Sequence, residues 1–301
     1  MPTARSVVTK PVFALARLWL VLVCAGLFAV PDAAQAQRCV GIAQAPPVEP
    51  WPRGLPRITP VSSPLAGIEL AQAGGGGAAR GGRAESVRLT FVGHATFLIE
   101  SPKGVTIITD YNDYVRPNRV PDIATMNIAH DTHYSQLPNP RIKHVLRGWN
   151  PSGGPAEHDL QVEDVHVRNI STNIRDWGGG GTREFGNSIF VFEIAGLCIA
   201  HLGHLHHTLT VQQLGQIGQM DVLLVPVDGG YTLDLDGMVE VLKAIKAPLM
   251  IPMHMFSAYG LERFLRRVRQ DFEVVESATA SIEISRTSLP GKQQVMVLPG
   301  R

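Results

Sequence analysis

Four of the chain's 11 histidines fall within seven residues, His201, His204, His206 and His207, in "IAHLGHLHHTL". Imidazole is a favoured donor for borderline transition metals, and its neutral form can be gathered around one ion without strong mutual repulsion. Other histidines stand where apolar runs end: His94 after "VRLTFVG", His130 and His133 in "NIAHDTHYS", and His254 in "PLMIPMHM". A lone histidine is usually structural, and 130 to 133 reads equally as a solvated polar turn. Four strand exits sharing one uncommon residue type are harder to assign to packing. His130 and His133 are three apart, so a loop or first helical turn can aim both rings to one side. His204 and His207 repeat that spacing, and His201 stands three before His204. The consecutive pair His206 and His207 must diverge, so only part of this cluster can face one centre. His144, beside Lys143, and His158 and His166, in charged alternating segments, read as surface.

The elements that must position these rings follow from the texture of the chain. From Ser86 onward short runs rich in β-branched and aromatic residues succeed one another: "VRLTFVG", "ATFLIE", "VTIITD", "TMNIAH", "IKHVLRG", "DLQVEDVHVRNI", "SIFVFEI" and "LCIAHLG". Such runs between turn residues are strands. After His207 the pattern mixes. The strand "DVLLVPV" precedes a segment whose Leu235, Met238, Val239, Leu242 and Ile245 share one helical face, and "YGLERFLRRVRQ" is a second amphipathic helix. A strand-rich first half with alternating helix and strand afterwards implies a layered α/β domain over 86–301. Rigid strand ends with free loops are where such folds place their sites. The loop "NIRDWGGGGTREFGN" reads as a flap or as a long turn.

The 301 residues are 45% hydrophobic and 18% charged with a formal net charge of +1, which supports a large core and advertises neither nucleic acid nor an anionic membrane as partner. A small molecule is the expected partner. Arg5, Lys10 and Arg17 precede an apolar stretch at 18–30, and Ala34-Gln35-Ala36 supplies small residues for cleavage, so residues 1–36 read as a secretory signal. An uncleaved anchor is the alternative, although the apolar run is short for a bilayer span. After cleavage no integral membrane segment is expected, and the periplasm or exterior is the expected location. Residues 37–85, with "QAPPVEPWPRGLP" and "AQAGGGGAARGGR", read as a linker that is mostly disordered. Cleavage leaves Cys39 and Cys198. They would pair only in an oxidising compartment and only if the fold brings them together; a buried thiol is the ordinary reading of Cys198 in "AGLCIAH".

No nucleophile elbow, P-loop, dinucleotide fingerprint or CxxC is present. The pieces "LTFVGHATFLIE", "GVTIITDY", the loop at 130–133, "GLCIAHLGHLHHTLT", "DVLLVPVDGGYTLD" and "PLMIPMHM" resemble, in order, the metallo-β-lactamase superfamily. Within it they are similar to the branch of ascorbate-6-phosphate lactonase and N-acyl-phosphatidylethanolamine phospholipase D. The resemblance implies a four-layer αβ/βα sandwich with a metal site along one edge. It implies that His201 and His254 are ligands, that His94 lines the site, and that Asp110 braces the metal loop from behind.

Two departures from the family pattern matter. The family's metal loop, His-x-His-x-Asp-His, is here His130-Asp131-Thr132-His133-Tyr134-Ser135-Gln136, without the closing Asp-His pair. His204 stands where an aspartate usually bridges two metals, and a neutral imidazole has one lone pair where a carboxylate can share two oxygens. One divalent ion is therefore expected, zinc first and manganese or iron next, held by His130, His133, His201 and His204 or His254. Asp131, Asp228 or Asp110 would orient the attacking water, Asp131 by preference; each reads equally as a turn or capping residue. The expected function is a hydrolase using metal-bound hydroxide on an ester, lactone, amide or phosphodiester. The alternatives are a degenerate member that binds metal or ligand without turnover, and a redox protein with iron, copper or manganese.

Overall fold

A computed structural model describes Cys39, residues 85–176 and residues 178–300. The chain divides into Met1–Gln35 and Ala36–Arg301, and all described residues belong to the second unit. The signal read at 1–36, the linker apart from Cys39 and Glu85, and Trp177 of the glycine loop lie outside the described residues. Among the described residues no helix is long and apolar enough to cross a membrane.

Alternating apolar residues fold into two sheets. β1 (Val87–Gly93), β2 (Thr96–Glu100), β3 (Thr106–Ile108), β4 (Ile123–Met126) and β5 (His144–Arg147) lie side by side in sequence order, with a late strand, Ser281–Ile284, on the free edge of β1. The second sheet has eight strands. β6 (Asp159–Val162), β7 (Val165–Asp176), β8 (Gly181–Ile194) and β9 (Leu197–His201) run antiparallel, then β10 (Val222–Pro226) and β11 (Leu249–Met253) run parallel to β9, followed by Gln294–Val297 and Glu273–Glu276 at the edge. Residues 178–180 turn the long β7–β8 hairpin.

Side chains from both sheets meet in one core, where Phe97, Ile99 and Ile107 pack with Phe190, Phe192, Ile199, Leu224 and Ile251. Each such large apolar side chain contributes about 1.5–3 kcal/mol by burial. A second core covers the outer face of the eight-stranded sheet, where α1 (Val211–Ile217), α2 (Leu235–Ile245) and α3 (Ala258–Val268) seat Ile217, Met238, Leu242 and Phe264 against Ala200, Leu223 and Val225. α2 starts at Asp234, whose carboxylate accepts from the N–H groups of Asp236 and Gly237, and it stops where Lys246 turns left-handed at φ 60°. The outer face of the other sheet is covered by Tyr111, Ile142, Tyr134 and Trp149, with no helix there among the described residues. The sandwich is thus the expected α/β one, with its described helices on a single side.

The parallel strands set up the site. β9, β10 and β11 are buried along their whole length, as parallel strands covered on both faces are. Their C-terminal ends lie together and deliver His201, Asp228 and His254 to one edge. In the other sheet β3 and β4 are also parallel, and they deliver Asp110 and the loop carrying His130 and His133. Cys39 and Cys198 form a disulfide with Cα atoms 5.5 Å apart. Arg168 donates to the Cys39 carbonyl and to the carbonyls of Gln216 and Ile217 at the end of α1, so Cys39 is held to the domain twice over.

Candidate metal centre

Three of the residues at this edge have left-handed backbone although none is glycine: His94 (φ 51°), Asp110 (φ 43°) and His254 (φ 58°). Such conformations cost about 1–3 kcal/mol and persist where the surroundings dictate them. Here the turns interlock, because the His254 N–H donates to the His94 carbonyl at 2.7 Å and Asp110 is fully buried behind them. The folding strain goes into aiming side chains at one place. One ring nitrogen from each of His94, His130, His133 and His254 lies within 4.8 Å of the others.

Two of these rings are oriented from behind by carboxylates. His133 Nδ1 meets Asp110 Oδ2 at 2.5 Å, and His254 Nδ1 meets Asp228 Oδ2 at 3.0 Å. Each carboxylate accepts from the Nδ1–H, which leaves the Nε2 lone pair facing the centre. These two Nε2 atoms are 3.1 Å apart. Two lone pairs so placed repel unless an electron-pair acceptor joins them, so this donor set fits a cation. Both carboxylates are fully employed. Asp110 Oδ1 accepts from Asn127, and Asp228 also accepts from the N–H groups of Gly230, Tyr231 and Thr232 and from the Thr232 hydroxyl.

The remaining expected residues take other places. His201 does not join the group: its Nε2 donates to the Ala95 carbonyl at 2.9 Å and its Nδ1 accepts from the Gly203 N–H at 3.1 Å, so neither nitrogen is free for an ion. Its part is to pin the turn after His94. His94, expected only to line the site, stands inside the four-histidine group. His204 is buried with its ring centre 4.6–4.8 Å from those of His130, His133 and His254, and its Nε2 lies 2.8 Å from His130 Nε2. Asp131 is exposed and accepts from the Tyr114 hydroxyl, with no hydrogen bond to the histidines among the described residues. His207 ties the loop to β7 through the Asn173 N–H. His144 and His166, on β5 and β7, and His158, just before β6, are half-buried away from this group.

Several supports carry no motif. Thr132 Oγ1 bridges His94 Nε2 at 2.9 Å and His130 Nδ1 at 2.7 Å. Asn127 links Asp110 to the Ser188 N–H, and Asn187 receives the His204 N–H. A polar residue at the boundary of an apolar run, closing one in "TMN" and opening one in "NSIFVF", is the signal that could have marked both asparagines. Phe256, 59% exposed, stacks beside His94 and His254 and against Tyr231, forming an apolar wall at the mouth.

Burial disfavours the charged form of His94, His130, His133, His201 and His204. Burial, then repulsion from His254 and His130, pushes His94 down to about 3. Burial is also the largest cause lowering His130, His133, His201 and His204. Burial pushes Asp110 up to about 6. For Asp228 burial acts upward too, but hydrogen bonds from His254 and Thr232 outweigh it and hold the carboxyl below its ordinary value. Neutral rings keep their lone pairs, which a cation requires.

This sandwich with a histidine-lined edge has the organisation of a metallo-β-lactamase-fold hydrolase. Residues 88–254 match the beta-lactamase superfamily domain, and the chain belongs to that family. It is 26% identical over 199 residues to a UPF0173 metal-dependent hydrolase of Thermoplasma volcanium, covering 56% of this chain and 83% of the relative. It is 24% identical over 234 residues to one of Archaeoglobus fulgidus, covering 66% and 94%. A provisionally assigned Zn-dependent hydrolase of the metallo-beta-lactamase superfamily from Thermotoga maritima superposes with a TM-score of 0.54 at 28% identity, covering 71% of this chain and 100% of that one. The chain therefore stands among metal-dependent hydrolases of this superfamily.

Proposed function

We propose that the protein holds one divalent cation, zinc by preference, among His94, His130, His133 and His254, and hydrolyses an ester, lactone, amide or phosphodiester in a small molecule. The observation that carries this reading is the pair of carboxylate-anchored rings, His133 and His254, whose Nε2 lone pairs converge at 3.1 Å. When bound, such an ion supplies Lewis-acid polarisation and acidifies water, more strongly among neutral imidazoles than among carboxylates. The chain's own residues orient His133 and His254 through Asp110 and Asp228, favour the neutral forms of His94, His130 and His133 by burial, and wall the mouth with Phe256 and Tyr231. The metal-ligand group among the described residues contains four histidines and no carboxylate, which supports one ion over two.

Purified protein assayed against phosphodiesters, lactones and β-lactams with and without a chelator tests this. Turnover lost on chelation and restored by zinc is expected; turnover untouched by chelation would overturn it. One observation favours a second reading, binding without turnover: each oxygen of Asp110 and Asp228 already accepts a hydrogen bond from the protein, so neither of these two carboxylates is uncommitted as a base for water. Tight metal binding with no turnover on any substrate class would favour that reading. We also propose export to an oxidising compartment, supported by the leader-like residues 1–36 and by the Cys39–Cys198 bond.

A further inference from the structure

The proton on each buried ring can be followed from one end of a hydrogen-bonded chain. The Arg175 backbone N–H and its Nε–H both donate to His206 Nδ1, each at 3.0 Å. Neither group can accept, so His206 Nδ1 carries no proton and the ring's single proton is on Nε2. That nitrogen lies 2.5 Å from His204 Nδ1, which must accept. His204 in turn carries its proton on Nε2, pointing at His130 Nε2 at 2.8 Å. The polarity is opposite to that of His133 and His254, whose Nδ1 protons go outward to Asp110 and Asp228. Two buried rings present lone pairs to the centre, and His204 presents an N–H.

Nothing in this chain of contacts is loose. Arg175 Nη2 is held by the carbonyls of Gly230, Tyr231 and Thr232 at 2.8, 3.0 and 2.5 Å. The His204 backbone N–H is fixed on Asn187 Oδ1 at 2.7 Å. Gly203, at φ 61°, has no room for a Cβ between Asn187 and Asn127, so the backbone entering His204 packs directly on both asparagines.

We propose that His204 is a hydrogen-bond donor for an oxygen of the substrate, a carbonyl or phosphoryl oxygen, with His206 and Arg175 as the positioning residues that hold its Nε2–H inward. The inference rests on the single-cation reading above. A cation on His130 takes the lone pair that His204 faces, and the buried N–H then lacks an acceptor until an oxygen arrives beside the ion. A preset donor facing developing negative charge is the arrangement that stabilises acyl- and phosphoryl-transfer transition states. It also explains how a histidine can stand where a bridging aspartate is usual without adding a second metal.

The test is nuclear magnetic resonance of protein with labelled histidine nitrogens, metal-free and then loaded with spin-active cadmium. Expected in the metal-free protein is a proton on His204 Nε2 and none on His206 Nδ1. Expected in the loaded protein is one-bond cadmium coupling to Nε2 of His133 and His254 and to neither nitrogen of His204. A His204 proton on Nδ1, or cadmium coupling to His204, would overturn the inference. His206→Glu supplies an acceptor in place of a donor, so it should reverse the His204 ring and give it a cadmium coupling that wild type lacks; no reversal in the folded variant counts against the inference. Coupling absent from every histidine would refute the cation reading instead, and the metal-free spectrum still decides the ring polarity.

Discussion

Replacing Asp110 with asparagine keeps the size of a fully buried side chain and converts one of its two acceptors into a donor. In the wild type Oδ2 receives the His133 Nδ1 proton and Oδ1 receives the Asn127 amide at 3.0 Å. If the new amide keeps its oxygen on His133, its NH2 meets the NH2 of Asn127. Asn127 cannot flip to relieve this, because its own oxygen accepts from the Ser188 N–H at 2.8 Å. If instead the amide turns its oxygen to Asn127, its NH2 faces His133 Nδ1, the ring must move its proton to Nε2, and the lone pair toward His254 is lost. The first outcome leaves a buried donor unpaired and costs about 1–3 kcal/mol of stability. The second removes a metal ligand's correct tautomer, and loss of such an outer partner lowers metal affinity about 10–100-fold. Zinc titration against a competing chromophoric chelator, with urea unfolding of the metal-free proteins alongside, reads both. Asp110→Asn with zinc affinity within about twofold of wild type and unchanged metal-free stability would refute the reasoning.

Stability of the chelated protein should fall with acidification. His94, pushed down to about 3, and His206, pushed down to about 4 by burial and then Arg175, contribute stability that is complete above the free histidine value of about 6.5 and is lost as pH falls through their folded values. Asp110, raised to about 6, works the other way over the narrower interval between its free and folded values, so the histidines prevail. Urea melts of the chelated protein from neutral pH to pH ~4 check this, and a flat profile contradicts it. Cys198→Ser should cost about 2–5 kcal/mol, because the bond joins residues 159 apart in sequence and unfolding would otherwise release that loop; thermal melts with and without reductant measure it. Gly203→Ala should destabilise by about 1–3 kcal/mol or more, since its left-handed backbone sits against Asn187 and Asn127 and leaves the new methyl no space.

Much of this architecture can be read from residue order. β1 occupies the very span of "VRLTFVG", and the three parallel strands are the continuous apolar runs ending at His201, Pro226 and Met253. The convergence of His94, His130, His133 and His254 follows from their shared place at strand exits. The role of His201 does not follow from type and spacing alone. It shares a face of β9 with Leu197 and Ile199, which point into the core between the sheets, and there its nitrogens find the Ala95 carbonyl and the Gly203 amide. Alternation along the strand carries that information, but a cluster of histidines invites a count of ligands instead. Asp131 is adjacent to His130 and still faces outward, because a turn separates neighbouring side chains and Tyr114 holds this one. The Cys39–Cys198 bond was beyond sequence reasoning, since separation along the chain says nothing of distance in the fold.

The central claim is that imidazoles delivered by separate strand ends share one cation. Elemental analysis of the purified, zinc-reconstituted protein measures it most directly, paired with X-ray absorption at the metal edge. The expected result is one equivalent per chain in an imidazole-dominated shell, lost when His133 and His254 are both changed to alanine. Two equivalents per chain, or none in a folded protein, would contradict it.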